Sequence, residues 1–157
     1  DKLKDDRCRR SSWTKIKKPP SIIIFEGWCV GAKHQKTNIL KKSLNFIEKK
    51  HDADFKWRKK VNNYLKNHYS KLFSKIDKLV YLKAPSFNHI FKWRMLQEQK
   101  LKLRSKNKEV MSRSKIKEFI MYYERITKQM MKDFNKISDL TIYLDNSHRS
   151  KKMKYFK

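Results

Sequence analysis

A short apolar run that ends in an acidic residue constrains the fold of this chain more than any other segment. Residues 22–25 are continuously apolar and rich in β-branched side chains, a pattern typical of a buried parallel strand. Glu26 and Gly27 end the run. A carboxylate at the carboxyl end of such a strand lies where open α/β sheets bind their ligands. A core strand followed by an incidental acidic turn is the alternative that this segment alone leaves open.

Further strand-like and helix-like segments alternate along the rest of the chain. Strands are predicted over residues 21–26, 78–82 and 140–144. Helices are predicted around residues 40–47, over residues 54–75, and after the capping residues Ser86 and Ser112. Alternating strands and helices imply parallel strands joined by right-handed crossovers. We therefore expect an α/β fold with about three parallel strands flanked by helices.

The length of the chain fits a single domain with a modest core over residues 1–157. Its last part, residues 146–157, is strongly basic and is expected to be a frayed, flexible tail. Three strands cannot close a sheet on themselves, so an apolar edge would be left unpaired. This edge suggests that a further part of the fold lies upstream of the sequence.

The charge of the chain is strongly unbalanced, with 42 Lys and Arg against 15 Asp and Glu and a formal net charge of +27. Such an excess ordinarily indicates a polyanionic partner. The lysines are nevertheless spread over every predicted helix, as compositional drift of an AT-rich coding sequence would also leave them. Drift, nucleic-acid binding, solubility and a polyphosphate ligand therefore all stay open.

The cysteines and the hydropathy pattern indicate a reducing, cytoplasmic setting. Cys8 and Cys29 lie far apart without a CxxC spacing, so the sequence suggests neither a disulfide framework nor a zinc site. A membrane span requires about 18 consecutive apolar residues, and no such stretch occurs. We expect no membrane partner.

The segment Phe25-Glu26-Gly27-Trp28-Cys29-Val30-Gly31 resembles the signature of the D-glycerate 3-kinase-like P-loop kinases. These kinases are relatives of uridine kinase, phosphoribulokinase and pantothenate kinase. Other matches follow in the order of the family and cover almost the whole chain. They include Asp1-Lys2, Asp5-Asp6-Arg7, Trp57-Arg58, Val61-Asn62, residues 82–87, residues 93–98, Met111-Ser112, Phe119-Ile120 and residues 123–127.

One part that the resemblance implies is absent from the sequence. Such a kinase needs a Gly-rich loop ending in Lys-Ser/Thr, whose backbone N–H groups hold the phosphates at a helix N-terminus. The chain contains two glycines, Gly27 and Gly31, and no segment of the form GxxxxGK[ST]. It begins at Asp1, and its first methionine is Met95. We expect the carboxyl-terminal half of a kinase, as a fragment, a decayed gene product or one chain of a two-piece protein.

The resemblance implies transfer of the γ-phosphoryl group of ATP to D-glycerate or a similar hydroxylated acceptor, with Mg²⁺ in the complete enzyme. It implies that Glu26 is catalytic and metal-binding, because a carboxylate there can hold the Mg²⁺ hydration shell or orient the acceptor hydroxyl. It implies that Arg94 is catalytic and that Arg94 and Gln97 bind the nucleotide, since positioned cations serve phosphoryl transfer. A surface helix with ordinary i,i+4 ion pairs is the alternative for Arg94.

The acceptor site implied by the resemblance contains Asp1, Asp6 and Arg7, with Trp28 in the pocket wall. An Arg side chain matches the carboxylate of a hydroxy acid through two parallel hydrogen bonds. An exposed charge run is the alternative for residues 1–7. Cys29 has no apparent base beside it and is not predicted to be a nucleophile.

Two other functions stay open at this point. In the first, a degenerate kinase half uses its basic surface to bind RNA or DNA. In the second, a separate amino-terminal kinase half supplies the missing phosphate loop and completes a split enzyme. In either case we expect the isolated chain to have no kinase turnover.

Overall fold

The computed structural model of the chain describes residues 8–104, 111–136 and 138–156. Its helices are α1 (Thr37–Lys41), α2 (Phe46–His51), α3 (Lys56–Tyr64), α4 (Ser70–Phe73), α5 (Phe87–Arg104) and α6 (Arg113–Asp133). Its strands are β1 (Val80–Lys83), β2 (Leu140–Leu144) and β3 (Ser150–Tyr155). A π-helical turn, Leu65–Tyr69, joins α3 to α4, and 3₁₀ turns cover Arg10–Ser12 and Phe134–Lys136. The predicted α/β class with a small sheet and flanking helices is confirmed.

The three strands form one mixed sheet in the order β1-β2-β3. β1 and β2 are parallel, with Val80 opposite Leu140, whereas β2 and β3 are antiparallel, with Leu140 opposite Tyr155. The prediction that all strands are parallel is therefore wrong for β3, which lies within the predicted frayed tail. The reason is the short connection after β2, since a tight turn can only return the chain antiparallel. In that turn the Asp145 carboxylate accepts hydrogen bonds from the N–H groups of Ser147 and Arg149.

The predicted first strand, residues 21–26, is not part of the sheet. This segment has no regular secondary structure, and its apolar side chains face solvent, with Ile22 79% and Ile24 87% exposed. β1 lies at the edge of the described sheet, and its Leu82 side chain is also exposed. The apolar run thus has strand-like composition, but none of the described strands lies beside it to supply backbone hydrogen bonds.

The helices follow the sequence prediction more closely. The helical segment predicted over residues 54–75 is present as α3, the π-helical turn and α4. Ser112 caps α6 by accepting a hydrogen bond from the N–H of Lys115. α5 continues to Arg104.

The hydrophobic core lies where the loop after residue 27 meets α6 and the sheet. Its buried members are Ala32, Leu65, Met130 and Phe134, and Cys29, Val61, Leu79, Tyr81 and Ile126 pack against them. Gly31 adopts a left-handed φ of 79°, and a Cβ there would lie 3.1 Å from Leu79 and 3.2 Å from Phe134. A larger residue would therefore be strained and crowded at this turn. Burial also raises the pKa of the Tyr81 hydroxyl to about 12.

A buried ionic cluster ties α2 and α3 to α6. The Glu48 carboxylate accepts hydrogen bonds of 2.7 and 2.6 Å from Nε and Nη2 of Arg125. Its Oε2 lies 3.2 Å from Nη1 of Arg58, whose Nε lies 2.8 Å from Oδ2 of Asp52. Glu48, Asp52 and Arg58 are buried. Helix packing therefore accounts for Arg58 and Arg125, two residues that also match the kinase resemblance.

Asn45 fixes the start of α2 beside this cluster. Its side-chain oxygen accepts a hydrogen bond of 3.0 Å from the N–H of Glu48, and its amide donates to the carbonyl of Met121. Burial acts to raise the pKa of Glu48, but hydrogen bonds from Arg125 and the N–H of Leu44 outweigh it and lower the pKa. Glu48 is therefore ionised at neutral pH.

No helix in the described part of the chain is both long and apolar enough to cross a membrane.

We predict that Glu48→Gln destabilises the protein by about 3–5 kcal/mol, because it leaves two guanidinium groups without their shared anion. Urea denaturation at neutral pH measures the change in the free energy of unfolding. Asp54→Asn is the matched control, since the Asp54 carboxylate pairs with Lys56 at an exposed position. It makes the same chemical change and should leave the unfolding midpoint unaltered. Equal midpoints for Glu48→Gln and wild type would exclude a structural role for the cluster.

The stability gap between wild type and Glu48→Gln should also depend on pH. Because the folded-state pKa of Glu48 lies below the ordinary value of 4.5, ionisation stabilises the fold above that value. The stabilisation is lost as pH falls through the lower, folded-state pKa. The gap should therefore be constant from about pH 7 to pH 5 and narrow below about pH 4.5. A gap that stays constant into strong acid would contradict this assignment.

Candidate functional site

The predicted acceptor-binding residues Asp1, Asp6 and Arg7 lie outside the described residues. Their assignment remains a prediction. The other predicted site residues, Glu26, Trp28, Arg94 and Gln97, are all described.

Trp28 and Arg94 lie against the same aromatic ring, although they are far apart in the sequence. The Trp28 ring centroid is 6.3 Å from that of Phe119, and the Arg94 guanidinium carbon is 5.6 Å from the Phe119 centroid. Trp28 also stacks on Tyr123, with centroids 4.8 Å apart and planes 14° apart. We call Trp28, Phe119 and Tyr123 the aromatic cluster.

A hydrogen bond fixes the orientation of the Trp28 indole. Its Nε1 donates to Oγ1 of Thr127, a buried residue of α6, over 2.9 Å. Phe119, Tyr123 and Thr127 follow one another at intervals of four positions, so they lie along one face of α6. Close packing of Gly31 against Leu79 and Phe134 holds the turn that contains Trp28. The pocket-wall residue predicted from the sequence is therefore placed by α6 and by the core.

Arg94 belongs to a polar group on α5. Its Nη1 forms an ion pair with Oε1 of Glu98 and lies 3.4 Å from Oε1 of Gln97. Glu98 is only 5% exposed, and its second carboxylate oxygen accepts a hydrogen bond of 3.1 Å from the N–H of Met111. The i,i+4 pair considered for Arg94 is thus present, but its acidic partner is buried. A buried partner holds the guanidinium in place more firmly than an exposed one.

Glu26 is exposed and precedes Trp28 by two positions. The prediction that it lies at the carboxyl end of a strand is not met, because the preceding residues pair with none of the described strands. Among the described residues, no group of three or more His, Cys, Asp or Glu side chains is arranged to hold a metal ion. The site therefore combines a positioned cation, an aromatic cluster and one nearby exposed carboxylate.

Sequence reasoning did not predict the contacts that assemble this site. Glu98 and Thr127 fall in segments that match the resemblance, residues 93–98 and 123–127, but only the structure shows that Glu98 binds the N–H of Met111 and that Thr127 binds Trp28. Periodicity did place Phe119 and Tyr123 on the apolar face of α6. It could not indicate that their partner is Trp28.

Cys29 lies beside the cluster but is not poised for chemistry. Burial raises the pKa of its thiol to about 11, so the reactive thiolate is scarce at neutral pH. This agrees with the prediction that Cys29 is not a nucleophile.

We predict that iodoacetamide modifies Cys29 at least about tenfold more slowly than the exposed Cys8 in the folded protein at pH 8. Mass spectrometry of digested samples taken over time measures the two rates separately. In about 6 M guanidinium chloride, where the fold is lost, the two rates should converge. A folded-state rate for Cys29 that matches or exceeds that for Cys8 would contradict the burial described above.

Comparison with known proteins identifies relatives of this chain. No family model matches it. It is 33% identical over 120 residues to a Schizosaccharomyces pombe protein named "Uncharacterized kinase mug58", a match that covers 75% of this chain and 41% of that protein. It is 26% identical over 118 residues to the chloroplastic D-glycerate 3-kinase of Arabidopsis thaliana, covering 75% of this chain and 23% of that enzyme.

A solved structure shares the fold. It is the D-glycerate 3-kinase of Cryptococcus neoformans, which matches 90% of this chain with a TM-score of 0.67 and 19% identity, over 52% of its own length. The chain spans less than half of the curated relatives that it matches and about half of this structure. The resemblance predicted from the sequence is confirmed: the chain is similar in sequence to proteins named as kinases, one of them a D-glycerate 3-kinase, over part of their length.

Proposed function

We propose that this chain is part of an ATP-dependent kinase that transfers the γ-phosphoryl group to D-glycerate or a similar hydroxylated acceptor. Relatives named as kinases, one of them a D-glycerate 3-kinase, support the reaction class. The observation that carries the proposal is the convergence of Trp28 and Arg94 on Phe119. The two residues come from separate motifs of the resemblance, and a shared site explains why they meet.

Arg94 would contact the phosphates of ATP. Negative charge on a transferring phosphoryl group is stabilised by cations whose positions are already fixed. The buried Glu98 and the face of Phe119 restrain the guanidinium from two sides. Gln97, which accepts a hydrogen bond from Arg94, would contribute its amide N–H groups to the same phosphates.

Glu26 would hold Mg²⁺ through water or orient the acceptor hydroxyl. Mg²⁺ is usually held by one or two carboxylates, with water and substrate phosphates completing its shell. Among the described residues Glu26 is a single exposed carboxylate without a cluster of further ligands, which is compatible with that shared arrangement. When bound with ATP, Mg²⁺ neutralises part of the phosphate charge.

The remaining parts of the proposed enzyme lie outside the described site. Asp1, Asp6 and Arg7 would bind the acceptor, with Arg7 paired to its carboxylate. The phosphate loop would come from residues beyond these 157, either in one longer protein or in a separate amino-terminal half. The chain alone would then be inactive. Reducing conditions in the cytoplasm would suit its two cysteines.

A coupled ADP-release assay with ATP, Mg²⁺ and D-glycerate tests this proposal. We expect no turnover from the 157 residues alone. We expect turnover when the chain is fused behind the part of a D-glycerate 3-kinase that it does not match. Robust turnover by the chain alone would overturn the assignment of the phosphate loop to a missing segment. A folded fusion that binds ATP but phosphorylates none of a panel of hydroxy acids and polyols would overturn the kinase proposal.

In the active fusion, Arg94→Ala and Glu26→Gln should each lower kcat by about 10²–10³, the cost of losing one well-placed charged group. For Arg94→Ala, kcat and kcat/KM should fall together, because the interaction is made mainly in the transition state. Steady-state kinetics with varied ATP and D-glycerate measure both parameters.

Two kinds of control accompany these variants. Lys49 and Lys117 are exposed, so the variants Lys49→Ala and Lys117→Ala should keep kcat and kcat/KM within about twofold of wild type. Arg94→Ala also leaves the buried Glu98 carboxylate without its cation, which destabilises the fold. The double variant Arg94→Ala with Glu98→Gln removes this unpaired charge. Recovery of activity in the double variant would show that Arg94 acts only through stability. Site variants that behave like the lysine controls would show that the site is assigned wrongly.

A further inference from the structure

The helical segment from α3 through α4 carries cations and aromatic rings but no acid. Residues 55–73, all of which are described, contain five lysines and no Asp or Glu. An open depression of about 380 Å³ lies along this segment. Its lining residues are spaced alternately by three and by one, so they share one helix face. They are Lys56, Lys59, Lys60, Asn63, Tyr64, Asn67 and His68, and we call this the α3 face.

The lysines of the α3 face are poorly neutralised. Lys56 pairs with Asp54 over 2.8 Å at a fully exposed position, where water screens the attraction. In the described part of the chain, no carboxylate lies within ion-pairing distance of Lys59 or Lys60. The Lys60 ammonium group instead lies 5.6 Å from the centroid of the Trp57 ring. The face therefore presents a concentrated positive charge to solvent.

Aromatic rings stand among these cations. Trp57 is 59% exposed and Tyr64 is 45% exposed. The Tyr64 ring lies 4.9 Å from the ring of His68, and the two planes are tilted by 34°. The Trp57 and Tyr64 rings are both accessible from solvent beside the lysines and asparagine amides of the α3 face.

The backbone of this segment is also unusual. The π-helical turn Leu65–Tyr69 supplies Asn67 and His68 to the depression. Single π turns within α-helices are rare and are found frequently at functional sites. The opposite side of α3 is anchored by Arg58 in the ionic cluster and by the buried Asn62, whose amide donates to the carbonyl of Gln35. The α3 face is therefore presented from a fixed support.

We propose that the α3 face binds single-stranded nucleic acid. Lys56, Lys59 and Lys60 would contact the phosphates, and the Tyr64 and Trp57 rings would stack on bases. The amides of Asn63 and Asn67 can donate to and accept from base edges. A bare polyphosphate would use the lysines but would leave the rings and amides without matching groups. An anionic lipid surface could accommodate the rings as well, but it would offer no base edges to the amides of Asn63 and Asn67. The site is separate from the aromatic cluster and does not depend on the proposed kinase activity.

Fluorescence anisotropy of the full chain with a labelled single-stranded 20-mer tests the proposal, with salt varied from about 50 to 200 mM. Affinity should fall steeply with salt. The triple variant Lys56→Gln, Lys59→Gln and Lys60→Gln should flatten the plot of log affinity against log salt by about 2, at about 0.7 per phosphate contact. Tyr64→Ala should weaken binding about tenfold, whereas Tyr64→Phe, which keeps the ring, should bind as wild type does.

A matched triple variant on α6 separates a local site from general positive charge. Lys115→Gln, Lys117→Gln and Lys132→Gln remove the same charge from exposed positions of another helix. They should retain most of the affinity and of the salt slope. Equal losses in the two triple variants would overturn the proposal, because binding would then follow net charge alone. An unchanged affinity in Tyr64→Ala would also overturn it.

Two further ligands test the chemistry. A 20-bp duplex of related sequence hides the faces of its bases and should bind at least about tenfold more weakly than the single strand. Vesicles of anionic phospholipid should not compete at equal phosphate concentration. Tighter binding to vesicles than to the single strand would overturn the proposal in favour of a membrane surface.

Discussion

The buried carboxylate of Glu48 between Arg58 and Arg125 is the contact on which the arrangement of the helices depends. Its ion pairs connect α2 with α3 and α6, and Arg125 also donates to the carbonyls of Ile39 and Lys42. Because α6 carries Phe119, the cluster sets the position of the ring that Trp28 and Arg94 contact. Because the cluster anchors α3, it also supports the α3 face. Replacing a paired buried charge is costly because its partners stay buried. One ionic cluster thereby positions both candidate surfaces.

Periodicity predicted the elements whose buried face can be recognised from their own sequence. The apolar positions of α6 recur every 3.6 residues, and Ser112 has the capping chemistry that starts this helix, so both were predictable. β1 and β2 were short apolar runs between turn residues. β3 was missed because lysines dominate its sequence, and only pairing with β2 makes it a strand. The strand predicted over residues 22–25 was wrong for the opposite reason. Their composition suits a strand, but a strand is buried and paired only when a neighbouring strand lies beside it.

The candidate site was predictable as a list of residues but not as an arrangement. The family resemblance gave Trp28, Arg94 and Gln97 separately. Trp28 and Arg94 meet at Phe119 of α6, which depends on the packing of α5 against α6 and on a turn in which Gly31 adopts a left-handed φ. Arg94 shows why chemistry and packing are hard to separate from sequence alone. Its ion pair with the buried Glu98 restrains the guanidinium but also offsets its charge, so an incoming phosphate would share the cation with a fixed carboxylate.

The exposed apolar run, residues 22–25, and the open edge of the sheet at β1 both lack a partner that would cover them. Side chains such as Ile22 and Ile24 gain roughly 25 cal/mol for each square ångström removed from water, yet most of their surface is exposed. β1 likewise exposes Leu82 and has unpaired backbone groups along its outer edge. Both defects would be relieved by further strands between these two segments. In the proposed kinase, the polypeptide that supplies the phosphate loop would also bring those strands, so covering the apolar surface and completing the catalytic site would be a single event. Glu26, which directly follows the apolar run, would reach its strand-end position only in that assembly.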